Sequence, residues 1–513
     1  MRSNAALALA LLTLMPAPLT AQEGLARPLS AIDWLDQGTG DVLFSPAPPS
    51  ISEPPVAGRV SIPNVDVTPL AAATSGAVGL LPPSVTGLPP DLWAKSDAGK
   101  LVRLWRGARQ QPSPAIAALY HTLLLAEAEP PHGAPDAYLR TRVQMLRRFG
   151  AVEPALELLA RAGPETPALF ASWFDLALLA GAETEACTAL RDAPGLMAND
   201  AAQIYCTALT GDWRTAALLY DTGTALGTIK GTEGALLGQF LDSELAEAAA
   251  LPPPSAEPTP LEFRLFEAIG SPLPTRSLPL AFAMADLRST AGWKAEIEAA
   301  ERLTRAGALA PNRLMGLYTR QRPSASGGVW DRVAAVQDLE AALDASNLGG
   351  TGVALNVAWQ QMRDEGLEVP FAQLFAEKLQ AAGVPPRQRD LAFSMALLTP
   401  AYEAAADKAP DGRNARFLAS LAQGRPNAAL ANGPIESIIA SAFTTPPEAA
   451  PEHAYLIDQG KLGEAILSAA LQFDRADGDP GEMASALGTM RAVGLEDSAR
   501  RAALQTLVLG DGA

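Results

Sequence analysis

The chain has 513 residues and a formal net charge of −17; 48% of its residues are hydrophobic and only 6% are aromatic. So acidic a surface repels phosphate backbones and anionic lipid headgroups, and we therefore expect no nucleic-acid partner. A core poor in aromatic residues and rich in alanine and leucine favours closely packed helices over a sheet. The composition thus predicts a large all-α protein.

The first 21 residues have the pattern of a secretory signal peptide. Arg2 precedes an apolar run from Ala5 to Met15, and Ala21 is a small residue at which a signal peptidase could cut. The run is shorter than the roughly 20 residues that span a bilayer, and no later uncharged run reaches that length. No cysteine lies near the predicted cut to carry a lipid. We therefore expect export to a bacterial periplasm, without a membrane span.

Residues 22–95 form a proline- and glycine-rich arm without a sustained helical period, and we predict that it is largely extended. Its stretch PLSAIDWLD is more apolar than a spacer requires, with Leu29, Ile32, Trp34 and Leu35 on one side of a helical turn or two. These four residues could form a docking peptide laid in a partner's groove. Alternatively, the arm packs back on its own helices, since stacked repeats need their terminal apolar faces covered.

Helical hairpins are predicted between residues 145 and 221 and again near the C-terminus. In each, an apolar run ends at a glycine, and an alanine five residues later opens a second apolar run. The glycine supplies the left-handed conformation that ends a helix, and the small alanine permits close packing. The pairs are Gly150 with Ala155, Gly181 with Ala186, Gly211 with Ala216, Gly424 with Ala429, and Gly460 with Ala465.

The intervals between these glycines, 31, 30 and 36 residues, are close to the period of about 34 residues of a tetratricopeptide repeat. The segments GDWRTAALLYD and QGKLGEAILSAAL resemble that family best, because they carry its glycine, a polar turn, and then alanine followed by apolar residues. The family's early tryptophan, Leu-Gly pair and closing proline do not recur in register. The resemblance implies an α-solenoid of antiparallel helical hairpins; the alternative is an irregular helical bundle.

A run of prolines interrupts the predicted helical region. Three consecutive prolines at 252–254, with two more soon after, cannot continue a helix. We therefore predict an N-terminal helical-repeat half over residues 96–250, a proline-rich break over 251–260 and a C-terminal helical-repeat half over 261–513. The repeat is less regular in the second half.

The two cysteines of the chain are predicted to form a disulfide. Cys187 lies in the second helix of the Gly181 hairpin and Cys206 in the helix that follows, so adjacent helices present the two side chains to one another. An oxidising periplasm favours the bridge. A catalytic dithiol usually has closer spacing, and a zinc site would need further cysteine or histidine ligands.

No sequence motif indicates catalysis, a cofactor or a metal ion. The three histidines, His121, His132 and His453, stand alone, without a second ligand at helical spacing. His121 lies in an apolar helix, where we expect a structural histidine with satisfied hydrogen bonds. The glycine pairs in GTGDVL and LGGTGVAL lack the third glycine and the strand of a dinucleotide-binding loop, and no P-loop or nucleophile-elbow motif occurs. We therefore expect no enzyme, no cofactor and no bound metal.

Residues 96–500 also resemble the alanine- and leucine-rich helical ring of soluble lytic transglycosylases. Those enzymes carry a lysozyme-like domain with a catalytic glutamate after the ring, whereas 13 residues follow Arg500 here. The resemblance therefore implies the architecture without the catalytic module.

The predicted function is that of a non-enzymatic periplasmic scaffold or assembly factor, which contacts another envelope protein through its helical-repeat surface. The alternative is a cell-wall glycan-binding protein or an enzyme with an unrecognised site. A deep cleft that holds a buried carboxylate of shifted pKa would favour this alternative.

Overall fold

The computed structural model describes residues 77–242, 250–443 and 446–510. In these ranges the regular secondary structure is entirely helical, with 25 α-helices, five short 3-10 helices and two isolated β-bridges but no strand. The prediction of an all-α protein is confirmed. The signal peptide lies outside the described residues, and so does the predicted docking peptide with Leu29, Ile32, Trp34 and Leu35.

We number the α-helices in chain order. They are α1 (Pro83–Thr86), α2 (Ala98–Arg106), α3 (Pro114–Leu125), α4 (Pro135–Arg148), α5 (Val152–Ala162), α6 (Phe170–Ala180), α7 (Glu183–Asp192), α8 (Asp200–Leu209), α9 (Trp213–Leu226), α10 (Gly231–Leu241), α11 (Pro260–Ala268), α12 (Ala283–Asp286), α13 (Trp293–Arg305), α14 (Pro311–Thr319), α15 (Val329–Asp344), α16 (Leu348–Arg363), α17 (Glu368–Ala382), α18 (Arg389–Leu397), α19 (Tyr402–Ala406), α20 (Arg413–Ala422), α21 (Pro434–Ala442), α22 (Pro451–Asp458), α23 (Leu462–Arg475), α24 (Pro480–Ala492) and α25 (Glu496–Leu509). The 3-10 helices are Pro194–Leu196, Thr275–Ser277, Leu280–Phe282, Pro386–Gln388 and Ala428–Leu430.

The three hairpins predicted between residues 145 and 221 are pairs of packed helices in the structure. α4 packs against α5, α6 against α7, and α8 against α9. The glycines between them, Gly150, Gly181 and Gly211, have φ angles of 79°, 73° and 95°, in the left-handed region. The alanine five residues after each glycine is buried. Each second helix therefore approaches the core through one of the smallest side chains, as the spacing predicts.

Of the two later glycine-alanine pairs, one forms the predicted hairpin and the other does not. Gly460 separates α22 from α23, and Ala465 is buried in α23. Gly424 follows α20, but Ala429 is exposed and belongs to a 3-10 helix of three residues. Prolines at 426 and 434 flank this stretch, and because proline cannot donate a backbone hydrogen bond, they leave too little chain for a second α-helix there.

The last part of the predicted arm, residues 77–95, packs onto the helices. Leu92 and Trp93 are buried in the main hydrophobic core. The buried guanidinium of Arg142 on α4 donates hydrogen bonds to the carbonyl oxygens of Val78 (2.7 Å) and Leu124 (2.7 Å). This part of the predicted arm therefore belongs to the packed helical region.

Helices near the two ends of the described chain are in contact. α3 packs against α23 and α25, and α2 packs against α23. The backbone N–H of Ala115 donates to Oε1 of Gln505 (2.7 Å), and that of Gly463 donates to the carbonyl oxygen of Leu92 (3.1 Å). In a simple stack of repeats each unit contacts only its neighbours. These contacts are additional, and they connect the two ends of the helical region.

The proline-rich segment 251–260 leads into α11, and α11 packs against both α10 and α6. A capping box begins α11: Oγ1 of Thr259 accepts from the N–H of Glu262 (3.1 Å), whose carboxylate accepts from the N–H of Thr259 (3.2 Å). One hydrophobic core includes residues from both sides of the segment. The segment interrupts the helices without interrupting their packing, and the division into two halves stays a prediction.

Substitution of Gly150 is expected to cost more stability than substitution of Gly211. A Cβ atom at Gly150 would lie 2.7 Å from Cδ2 of Leu303 and 2.8 Å from Cγ of Leu280, whereas nothing lies within 4 Å of one at Gly211. Both alanine variants carry the left-handed backbone cost of roughly 1–2 kcal/mol. Gly150→Ala should therefore lower the free energy of unfolding in urea by more than Gly211→Ala. Equal losses would show that the contact at Gly150 relaxes without cost.

Candidate functional site

Among the described helices, none has the length and hydropathy needed to cross a bilayer. Residues 77–242, 250–443 and 446–510 also contain no group of three or more His, Cys, Asp or Glu side chains that could hold a metal ion.

The three histidines lie in separate environments. His121 meets the ring of Phe149 edge-on, its Nε2 has no hydrogen-bond partner among the described residues, and burial lowers its pKa to about 4. The expectation of satisfied hydrogen bonds therefore fails for this atom among the described residues. Nδ1 of His453 lies 2.9 Å from Oγ1 of Thr489, and burial lowers the pKa of this imidazole as well. His132 is exposed.

The glycine-rich sequence LGGTGVAL is the start of an α-helix. It begins α16, and the side chain of Asn347 caps that helix by accepting from the N–H of Gly350 (3.0 Å). It therefore does not form a dinucleotide-binding loop. The other glycine pair, in GTGDVL, lies outside the described residues.

The structure confirms the predicted disulfide. Cys187 on α7 and Cys206 on α8 are bonded, with their Cα atoms 4.8 Å apart. Both side chains are buried in a second hydrophobic core, to which α6, α7, α8, α9, α10 and α11 contribute. Because neither sulfur reaches the surface, the bridge is a structural connection between two packed helices.

An uncharged, leucine-containing strip runs along the outside of α9. We call it the α9 face; its members are Thr215, Leu218, Leu219, Thr222, Ala225 and Leu226. All six residues are exposed, and the three leucines are 66%, 40% and 74% exposed in chain order. At 3.6 residues per turn the six positions fall within about 120° of one another. The charged residues of this helix, Arg214 and Asp221, lie on a flank beside the face.

The α9 face exists because the helix turns its small residues inward. Only Ala216 and Gly223 are buried on α9, and a Cβ atom at Gly223 would lie 2.6 Å from Cγ1 of Ile229. The segment that follows α9 and carries Ile229 therefore packs against the alanine-glycine side of this helix. A surface helix usually buries its apolar stripe and exposes charged residues. α9 instead buries only alanine and glycine and leaves three leucines exposed. Exposed apolar patches commonly mark binding surfaces.

A cleft of about 550 Å³ is the second surface feature that could hold a ligand. α4 contributes Gln144, Arg147 and Arg148 to its lining, and α10 and the proline-rich segment contribute Glu233 and Glu257. α6 adds one more carboxylate, and the rest of the lining is mostly apolar, with side chains from α6, α11 and the 3-10 helix at 280–282. Ligand sites in proteins are typically clefts of roughly 300–1,000 Å³ with a mostly apolar lining and a few polar groups.

Three charged groups of the cleft have no ion-pair partner in the part of the chain that the structure describes. Nη1 of Arg147 pairs with Oδ2 of Asp175 (2.9 Å), whereas Arg148 makes no ion pair. The carboxylates of Glu233 and Glu257 also have no ion-pair partner there. Burial raises the pKa of Glu233, and the nearby charge of Glu262 raises it further.

The cleft only partly fits an enzyme or a glycan-binding site. Burial raises the pKa of Asp175, as expected for a catalytic acid, but Arg147 pairs with this carboxylate and acts in the opposite direction. The aromatic side chains in the lining, Phe174 and Phe282, are only 1% and 2% exposed. Neither ring therefore presents a free face on which a sugar could stack.

Comparison with protein-family models, curated proteins and solved structures finds no match to this chain. The resemblances to tetratricopeptide repeats and to the transglycosylase ring therefore stay predictions.

Proposed function

We propose that the protein is a non-enzymatic scaffold or assembly factor of the bacterial periplasm, and that it holds another envelope protein against the α9 face. The observation that carries this proposal is the face itself, which has three exposed leucines and no charged residue. The helix that bears it buries only alanine and glycine. Leucines in such positions lose contact with water when a partner covers them, which is the main favourable term in protein association.

The compartment and the architecture are part of the same proposal. Export follows from the signal-peptide pattern of residues 1–21, and the disulfide supports it because such bridges persist in oxidising compartments. The architecture we propose is an α-solenoid of tetratricopeptide-like hairpins whose end helices are in contact. The three successive helix pairs with left-handed glycines support it.

The occupant that we propose for the α9 face is an amphipathic helix of the partner protein. α9 has 14 residues and is therefore about 21 Å long, which suits a helix packed alongside it as α8 and α10 already are. A second copy of this chain is disfavoured because copies with a net charge of −17 repel each other. An anionic lipid surface is disfavoured because the face has no lysine or arginine.

Affinity capture from envelope extracts tests the proposal when paired variants are compared. The protein is purified from the periplasmic fraction, where its N-terminus should lie at or near Gln22. Leu218→Glu with Leu226→Glu places two charges on the α9 face. Val353→Glu with Val357→Glu is the matched control on α16, since these valines are 68% and 51% exposed.

The wild type and the α16 control are expected to capture the same envelope protein, and the α9 variant to recover at least about tenfold less of it. Equal melting temperatures would show that both variants fold. Undiminished capture by the α9 variant would reject this face as the binding surface, and recovery of intact Met1 from the cytoplasm would reject the compartment.

A further inference from the structure

The charged groups that line the cleft between α4 and the proline-rich segment are separated by the sign of their charge. The cations come from α4, as Arg147 and Arg148. The anions that remain after Arg147 pairs with Asp175 come from α10 and the proline-rich segment, as Glu233 and Glu257. A ligand in this cleft therefore meets a free guanidinium on one element and free carboxylates on another.

This distribution of charge argues against ligands of a single sign. A phosphate or another simple anion would meet Arg148 but would also lie near Glu233 and Glu257, and a polyamine would lie near the arginines. A metal ion is disfavoured because no group of three or more ligating side chains occurs among the described residues. A sugar would find no exposed aromatic face, since Phe174 and Phe282 are buried.

We propose that this cleft binds a short zwitterionic peptide, with its C-terminal carboxylate at Arg148, its N-terminal ammonium at Glu233 and its apolar side chains on the lining between them. Arginine suits the first role because its planar guanidinium can donate two parallel hydrogen bonds to one carboxylate. The cleft volume of about 550 Å³ leaves room for more than a single amino acid. This site is separate from the α9 face and does not depend on it.

The partial burial of Arg148 and Glu233, and their lack of ion-pair partners, support these roles. Arg148 is half-buried without an ion pair, and Glu233 is half-buried with a pKa raised mainly by burial. A charged group that is partly removed from water and has no partner is destabilised, so a ligand of opposite charge gains more from it than from an exposed group. Arg147 differs, because Asp175 already occupies its guanidinium.

Isothermal titration calorimetry with three forms of one tripeptide tests the assignment. The probes are alanyl-leucyl-alanine with both ends free, the same peptide as its C-terminal amide, and the same peptide acetylated at its N-terminus. The variants are Arg148→Gln and Glu233→Gln. Arg140→Gln is the matched control, because Arg140 is also half-buried on α4 without an ion pair but lies outside the cleft.

The free tripeptide is expected to bind the wild type and Arg140→Gln equally. Amidation of the peptide and Arg148→Gln should each weaken binding by about tenfold, the usual loss for a hydrogen bond between charged groups, and together they should weaken it no further. Acetylation of the peptide and Glu233→Gln should likewise each weaken binding by about tenfold, and together they should weaken it no further.

Three outcomes would overturn the proposal: no binding of the free tripeptide at millimolar concentration, unchanged affinity in both cleft variants, or losses that add when the peptide and the protein are changed together. None of these outcomes bears on capture by the α9 face, so the two proposals fail independently.

Discussion

Replacement of both bridged cysteines, as Cys187→Ala with Cys206→Ala, is expected to lower the melting temperature by several degrees and to leave partner capture at 25 °C intact. The bridge joins residues 19 apart in sequence, and closing a loop of that size stabilises a fold by about 3 kcal/mol in the chain-entropy model. Both side chains lie in the core between α7 and α8, away from the α9 face. Differential scanning calorimetry measures the change in melting temperature.

Reduction of the wild type provides the matched control for the cysteine variant, since it removes the bridge without altering the sequence. It should lower the melting temperature by a similar amount. Titration of two free thiols per chain in oxidised, exported protein would contradict the bridge. Loss of capture without loss of stability would show instead that the cysteines have a role in binding.

Replacement of Glu301 by alanine is expected to cause a large loss in the free energy of unfolding. Its carboxylate on α13 accepts two hydrogen bonds from Arg332 on α15, at 2.8 and 2.7 Å, and one from the phenol of Tyr318 on α14, at 2.7 Å. All three side chains are buried. Glu301→Ala leaves the phenol without this partner and leaves Arg332 with Glu365, whose Oε1 lies 3.0 Å from Nη1, as its remaining ion-pair partner. Removal of one partner from a buried ion pair typically costs about 3–5 kcal/mol, and because Glu365 remains we expect the lower end of that range. Guanidinium chloride denaturation measures the loss.

An exposed ion pair between a glutamate and an arginine provides the control for Glu301→Ala. Oε2 of Glu153 lies 3.0 Å from Nη1 of Arg313, and the two side chains are 56% and 45% exposed. Because solvent screens this pair, Glu153→Ala should cost less than about 1 kcal/mol. Similar losses for the two alanine variants would contradict the view that the buried network holds α13, α14 and α15 together.

Features that depend on a short stretch of sequence could be predicted. The glycine ends of the hairpins are local, since Gly150, Gly181 and Gly211 need only a backbone conformation that glycine readily adopts. The disulfide follows from the same local pattern, because Cys187 and Cys206 lie on consecutive helices. The pair that ends at Ala429 shows the limit of the pattern, since neighbouring prolines prevent a second α-helix there.

The candidate sites depend on which surfaces the remaining helices cover, and the sequence does not contain that information in any short stretch. The segment that begins α9 predicts a helix correctly, but its periodicity does not show that Ala216 and Gly223 face the core while Leu218 and Leu226 face solvent. The cleft joins Arg148 to Glu233, which are far apart in the chain. Only the packing of α4, α6, α10 and α11 brings them to one cavity.

Photo-cross-linking from the α9 face is the most direct test of the proposed docking surface. A photoreactive amino acid replaces Leu218 in cells that export the protein, and a second strain carries it at Val353 on α16, which is equally exposed. We predict that one envelope protein is cross-linked from position 218 and not from 353, through a peptide with apolar residues at helical spacing. Equal cross-linking from both positions, no cross-link from 218, or a cross-link to a second copy of this chain would contradict the account.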